Sequence, residues 1–320
     1  MRADSADDAR DTDRRTGRPT SDRRNLSSLA DSADDARDTD RRTSRQTSDR
    51  RNQSSRRADS ADDARDADRR TGRPTGDRRN LSSLADSADA LELLRCGRVE
   101  VLGRMPWSSN TTLLVDVHNG ADCLRAVYKP RRGERPLWDF PDGLDHREVA
   151  AYELSAWLGW DIVPETVLRA DEALPFGVGS LQRFVSFDPE QHYFTLVDDE
   201  SRHDALRTIC CFDLVANSAD RKGGHCLAGE DGRLWAVDNG LTFHCDTKLR
   251  TVIWEFGGQP IPDHLVADLR RLAEEGAPPA LEPLLSAAER RALVRRAAAV
   301  AGRAAFPIDR SGRRYPWPLV

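Results

Sequence analysis

The first 106 residues contain no Trp, Phe or Tyr; the seven Trp, nine Phe and four Tyr all lie from Trp107 onward. A segment without aromatics, rich in Asp, Arg, Ser and Thr, has too little apolar surface to offset the entropy of ordering it. No run of 18 apolar residues occurs, so no membrane-spanning helix is expected, and no charged start leads into an apolar stretch as in a secretory leader. The six cysteines form no CxxC pair and no dense framework, which excludes a disulfide scaffold and points to a reducing, cytoplasmic setting. His225-Cys226 and His244-Cys245 offer four zinc-type donors, but adjacent ligand pairs are poor zinc spacing. A net charge of −5 over 320 residues supplies no long-range case for nucleic acid or a membrane surface. Lysine is scarce as well: Lys129, Lys222 and Lys248 stand alone in a chain of 49 basic residues. Where Arg has replaced Lys so widely, a retained Lys marks a place for a compact ammonium, which a planar guanidinium does not replace in a tight phosphate site.

What the first part does contain is a repeat. The motif ADSADDARDTDRRTGRPTSDRRNLSSL begins at Ala3 and returns at Ala30 and Ala58, with a truncated start at Ala85. A 27- or 28-residue period superficially suits a solenoid, yet no unit has an apolar face to stack. Six Asp and six Arg alternate in the first unit, a solvated polyampholyte. Residues 1–86 are therefore expected to be disordered and to take no part in chemistry. An interaction role for this tail is the reading from outside enzymology; deletion of residues 1–85 without loss of activity counts against it.

The rest reads as an α+β domain in two lobes. Strands are expected over 98–103, 111–118 and 123–129, with a hairpin at Asn119-Gly120. A helix is expected over 145–158 with Val149, Tyr152, Ala156 and Trp157 inward. Further strands are expected over 162–168 and 179–187. The second half turns helical over 204–217, 263–274, 280–285 and 287–301, with a hairpin turning at Asp231-Gly232. A strand-rich lobe (90–186) and a helix-rich lobe (187–320) leave a cleft between them.

Phosphoryl transfer asks a protein for a cation on the phosphates, a group that orients the acceptor, and ligands for a divalent metal. Candidates occur in order. Lys129 ends the third strand, and Glu148 follows near the start of the next helix. Asn217-Ser218-Ala219-Asp220-Arg221-Lys222-Gly223-Gly224-His225 sits at a helix end, and Val237-Asp238-Asn239-Gly240 leaves an apolar strand for a tight turn. Singly, a strand Lys, a helix Glu and Asp-Asn-Gly turns are ordinary surface and turn chemistry. In series they describe a site for ATP with Mg²⁺ or Mn²⁺.

At these residues the sequence resembles the phosphatidylinositol 3- and 4-kinase superfamily, and within it an uncharacterised actinobacterial branch. The matching pieces are the segment from Tyr128 to Pro136, Arg147 to Tyr152, Asn217 to His225, Val237 to Gly240, and Tyr315-Pro316-Trp317-Pro318. The resemblance implies a kinase-like fold in which Lys129 contacts the ATP phosphates and Glu148 holds it. It implies that Gln182, Arg183, Phe184 and Val185 form the hinge that receives adenine. Asp220 would be the catalytic-loop base, with Lys222 beside the phosphates, and Asp238 and His225 the metal ligands. Ser108, Ser109 and Asn110 would cover the phosphates without glycines. His225 stands where the lipid kinases carry Asn, and imidazole is a softer ligand that favours Mn²⁺. The implied activity is phosphotransfer to an alcohol on an unidentified acceptor: a small molecule, a lipid headgroup or a protein. Lys248 and Arg250 follow the metal turn, and the plainer reading turns them to water. A pseudokinase scaffold and an AMP transferase on the same fold are the rival readings.

Overall fold

The computed structural model describes residues 79–80, 87–106, 110–170 and 174–320. The repeat tail, Ser108 and Ser109 thus lie outside the described residues, apart from strand β1 (Arg79–Asn80), which pairs in parallel with Asp122 and Cys123. The expected boundary at residue 90 falls inside helix α1 (Ser87–Cys96), which begins in the truncated last copy of the repeat. That copy runs into Leu91-Glu92-Leu93-Leu94, and Ala90, Leu93 and Leu94 supply the apolar stripe the earlier copies lack.

Strands β2 (Arg98–Arg104), β3 (Leu113–Asn119), β4 (Asp122–Pro130), β5 (Thr166–Arg169) and β6 (Gly179–Arg183) form an antiparallel sheet in the order β2-β3-β4-β6-β5. The β3–β4 hairpin turns at Asn119-Gly120, where Gly120 has φ +62°. Leu113, Val115 and Val117 of β3 and Leu124, Ala126 and Tyr128 of β4 point to one face and pack with α1. The expected strands over 162–168 and 179–187 are shorter than their apolar runs. Pro164 has no N–H for the ladder, and β6 ends at Arg183, with one further bond to β4 from the Phe184 N–H to the Arg125 carbonyl.

Helix α2 (Leu144–Leu158) departs from its expected packing. Val149 is buried as expected, but the other interior residues are Ala150, Ala151, Leu154 and Leu158, while Ala156 is exposed and Tyr152 and Trp157 are half-buried. The helix is covered on two sides, by β5 and β6 and by the helical core, so a single-face reading misplaces its stripe. Its N-cap residue, Gly143, has no side chain to cap it; the Glu134 carboxylate reaches across and accepts from the Gly143 and Asp145 N–H groups at 3.3 and 3.0 Å, and Asp145 Oδ1 accepts from the His146 N–H at 3.0 Å.

The helical part comprises α3 (Tyr193–Leu196), α4 (His203–Ala216), α5 (Asp263–Glu275) and α6 (Ala287–Arg303), with a hairpin of β7 (Cys226–Ala228) and β8 (Leu234–Ala236). Leu206, Ile209 and Phe212 of α4 meet Leu265, Leu269 and Leu272 of α5 and Leu293 and Ala297 of α6 in the larger core. Ser286 and Glu289 cap α6 reciprocally. The helix expected over 280–285 is only a 3-10 turn at Pro279–Leu281; Pro278-Pro279 withholds two N–H donors there.

Candidate active site

Four elements meet at one cavity of about 360 Å³, a size that accommodates a small ligand. Its walls include Lys129 from the end of β4, Glu148 from the second turn of α2, Asp220, Lys222 and His225 from the loop after α4, and Asp238 and Gly240 from the turn after β8. Asn110 and Thr111 close one side. Sequence order therefore becomes spatial convergence for Asn110, Lys129, Glu148, Asp220, Lys222, His225 and Asp238.

The Lys129 ammonium donates to Glu148 Oε1 and, at 2.9 Å, to Asp238 Oδ1. Burial works to lower its pKa, but Asp238 and Glu148 outweigh that and hold it raised and charged. Glu148 is buried, and burial pushes its carboxyl up against the pull of Lys129. Its second oxygen accepts the Asn239 N–H at 3.0 Å, so one carboxylate fastens both the ammonium and the turn that carries Asp238. Gly240 leaves room for this: a Cβ there would stand 3.3 Å from Glu148 Oε1.

Asp238 has φ +58°, a conformation uncommon outside glycine. Its carboxylate is half-exposed to the cleft, and Lys129 first, then His225, holds its pKa well below the usual range. The second carboxylate oxygen lies 3.4 Å from His225 Nε2. His225 Nδ1 is 3.0 Å from the Asp220 carbonyl and 3.3 Å from the Lys222 N–H. We assign the proton to Nδ1 on the shorter contact, which leaves the Nε2 lone pair facing Asp238. Burial, aided by the cations of Arg221, Lys222 and Lys129, pushes the His225 pKa down to about 4, so the ring is neutral at physiological pH.

A carboxylate oxygen and a neutral imidazole nitrogen 3.4 Å apart fit a divalent ion, whose adjacent ligands at about 2.1 Å would stand roughly 3 Å from one another. The mixed donor set suits Mn²⁺ at least as well as Mg²⁺. Asp220 pairs with Lys222 at 3.2 Å, and burial raises its carboxyl despite that ammonium. A carboxylate with a raised pKa is a better proton acceptor than an exposed one.

Beneath this loop lies a network that the sequence reading did not assign. Arg221 is fully buried. Its guanidinium donates to Asp213 at 3.0 and 3.3 Å, to the Val237 carbonyl at 2.6 Å and to Asn239 Oδ1 at 2.7 Å. Thr251 Oγ1 donates to Asp213 at 2.9 Å. Arg221 thus ties the loop of Asp220 to the turn of Asp238 and to α4. Asn217 ends α4 at φ +58° and bonds the His244 and Asp246 carbonyls and the Lys248 N–H. The motif contained Arg221 and Asn217, but nothing in its spacing says they face inward.

The expected hinge is not in the cavity wall. Gln182 is buried and donates to Thr166 Oγ1 at 2.9 Å. Arg183 pairs with Glu165 and lies over the Trp235 ring, and Val185 packs with Leu227 and Trp235. Instead the wall runs past Leu137, Leu144 and Leu241, with Arg135 beside them. The four zinc-type donors do not assemble: Cys226 is in the core with its thiol pushed up to about 12 by burial, whereas His244 and Cys245 group with Asp246. Lys248 pairs with Asp139 at 3.2 Å, and Arg250 is exposed. No helix among the described residues is long and apolar enough to cross a membrane.

No family model matches the sequence. Among solved structures, hydra Fam20 with sugar overlaps 68% of this chain and 89% of its own at a TM-score of 0.46 and 14% identity. The Golgi casein kinase with Mn/ADP bound overlaps 73% of this chain and 80% of its own at 0.43 and 15%. Overlaps this loose assign no residue. Protein Rv2133c of Mycobacterium tuberculosis is 37% identical over 267 residues, which are 72% of this chain and 95% of that protein. On that extent of identity, the chain belongs to the family of Protein Rv2133c.

Proposed function

We propose that this protein is an ATP-dependent, divalent-metal-assisted phosphotransferase. The observation that carries the reading is the Lys129 ammonium set between Glu148 and Asp238, with His225 against the other oxygen of Asp238. Asp238 and His225 would hold Mg²⁺ or Mn²⁺, whose role is to neutralise charge on the phosphates. Lys129 and Lys222 place two ammonium groups in the same cavity for phosphate oxygens. Asp220 is the group positioned to orient an acceptor hydroxyl and take its proton.

The resemblance to phosphatidylinositol 3- and 4-kinases keeps a lipid headgroup among the acceptors. Lys248 argues against a direct headgroup contact, because Asp139 already neutralises it. A second reading, AMP transfer, has one observation in its favour. The cavity lining contains Leu137, Leu144 and Leu241, apolar surface for a purine, and does not contain Gln182, Arg183, Phe184 or Val185, which leaves room for a nucleotide bound in the reverse sense.

Full-length protein is incubated with ATP labelled separately at the α and γ positions, Mg²⁺ or Mn²⁺, and cell extract or total lipid. Metal-dependent γ-label transfer that vanishes in Asp238→Ala is the expected result. Transfer of α label instead selects the AMP reading. ATP binding without movement of either label makes the protein a nucleotide-binding scaffold, and metal-independent ATP affinity in Asp238→Ala equal to the parent's with Mg²⁺ refutes the metal role.

A further inference from the structure

The closing motif Tyr315-Pro316-Trp317-Pro318 takes no part in the site chemistry, yet its segment ends against the loop that does. The Gly223 N–H donates to the Leu319 carbonyl at 2.7 Å. Gly223 opens the single 3-10 turn Gly223–His225, and the first N–H groups of such a turn have no partner within it. Leu319 supplies that partner. Earlier in the same segment, the Arg314 carbonyl accepts from the Thr251 N–H at 3.0 Å and from Trp254 Nε1 at 3.3 Å. Thr251 is the residue whose hydroxyl holds Asp213, the partner of Arg221. Residues 314–320 therefore reach the catalytic loop at both of its supports.

We infer that residues 314–320 are a brace that positions the Gly223–His225 turn, and through it the imidazole of His225. The inference rests on the metal-nucleotide reading of the cleft for its functional consequence and on hydrogen bonds alone for its structural one. Most of its side chains are exposed, Trp317 by 87% and Val320 by 57%; Pro316 is buried, and the Tyr315 ring lies 6.4 Å from that of Trp254. A segment that buries so little contributes to the geometry of the loop far more than to global stability. Close approach explains the glycine as well. A Cβ at Gly223 would stand 3.1 Å from the Phe194 ring and 3.3 Å from the Leu319 oxygen, so a side chain there meets the brace on one side and Phe194 on the other.

Loss of the brace leaves the Gly223 N–H to solvent and lets the turn relax, while Asp238 stays fixed by Lys129 and Glu148. Groups that orient a metal ligand through another residue typically change metal affinity by about 10–100-fold. The experiment compares the full chain, a chain ending at Arg314, Gly223→Ala, and the two changes combined. Mn²⁺ uptake is titrated in the presence of a non-hydrolysable ATP analogue, with hydrogen exchange at the Gly223 amide and thermal melting alongside.

Truncation is expected to weaken Mn²⁺ uptake roughly tenfold, to speed exchange at Gly223, and to leave the melting temperature within about 2 °C of the full chain. Gly223→Ala is expected to weaken uptake in the full chain, and to do so less once the segment is gone, because the Leu319 contact is then already lost and only the Phe194 contact remains. Unchanged Mn²⁺ affinity on truncation, or full additivity of the two changes, overturns the positioning role. If the full chain takes up no Mn²⁺, the reading of the cleft fails; exchange at Gly223 still decides the brace, and unaltered protection in the truncated chain overturns it.

Discussion

Replacement of Arg221 by Met tests the network beneath the site. Met fills much of the same volume and removes the charge. Asp213, the Val237 carbonyl and the Asn239 amide oxygen then lose their donors, and Thr251 alone remains on Asp213. Both side chains of the ion pair are fully buried. In the native protein burial disfavours the Arg221 cation, and the Asp213 carboxylate outweighs it and keeps it charged. Breaking a buried pair by removing one partner costs about 3–5 kcal/mol, against a total stability of about 5–15 kcal/mol for a domain. Urea unfolding at pH 7 should show that loss. The double variant Asp213→Leu/Arg221→Met should recover part of it, because no buried charge is left unpaired. The pH dependence has a definite sign. With no cation beside it, Asp213 in the folded variant has a pKa above that of the unfolded chain. The folded state then binds more protons between the two values, so the variant loses stability as pH rises through that window and levels off above it. Its deficit against the parent is smallest near pH 4 and largest near neutrality. A loss under about 1 kcal/mol that does not vary with pH would mean that water, not Arg221, satisfies these groups.

Three further outcomes follow from the cleft. Asp220→Asn should bind ATP and metal as the parent does and turn over about 10²–10⁴-fold more slowly, read from single-turnover label transfer; normal turnover places the base elsewhere. His225→Asn should move the metal preference from Mn²⁺ toward Mg²⁺. It should also abolish one pH dependence: with the folded pKa near 4 and the unfolded near 6.5, the unfolded state binds more protons between these values. The His225 contribution to stability therefore falls as pH drops from about 6.5 to 4, and urea midpoints at pH 4.5 and 7 should converge in the variant. Lys129→Arg keeps the charge but widens the head group between Glu148 and Asp238, and should weaken ATP binding by about tenfold or more; unchanged affinity removes Lys129 from the phosphates.

The residues of the cleft were legible where chemistry restricts residue type. In a chain that otherwise uses Arg, two of the three lysines, Lys129 and Lys222, stand in the cavity. Asp220 and Asp238 were marked by turns rich in Gly and Asn. The hairpin at Asn119-Gly120 was legible because only a few residues accept φ near +62°. The face of α2 was not, since a helix covered on two sides has no single apolar stripe. Nor was α1, whose opening residues repeat a sequence that lacks an apolar partner everywhere but here. Arg221 was hidden for a different reason: a fully buried arginine is a rare event, and a residue beside Asp220 in a Gly-rich loop reads as solvent-facing until Asp213, eight positions away on α4, is seen beneath it.

Motif order therefore finds the parts of this site but not the constraint that joins them. Glu148 belongs to the helix between β4 and β5, yet one of its oxygens holds the β4 ammonium and the other holds the Asn239 N–H of the turn that carries Asp238. Arg221 repeats the arrangement on the far side, with Asp213 on α4 and Val237 and Asn239 on the same turn. Asn239 is the residue common to both: its N–H is taken by Glu148 and its side-chain oxygen by Arg221. Fixed from two directions, the turn can hold Asp238 at φ +58°, a conformation that costs about 1–3 kcal/mol and persists only when its surroundings over-determine it. The carboxylate stays half-exposed to the cleft because its backbone, and not its own packing, is what the protein secures.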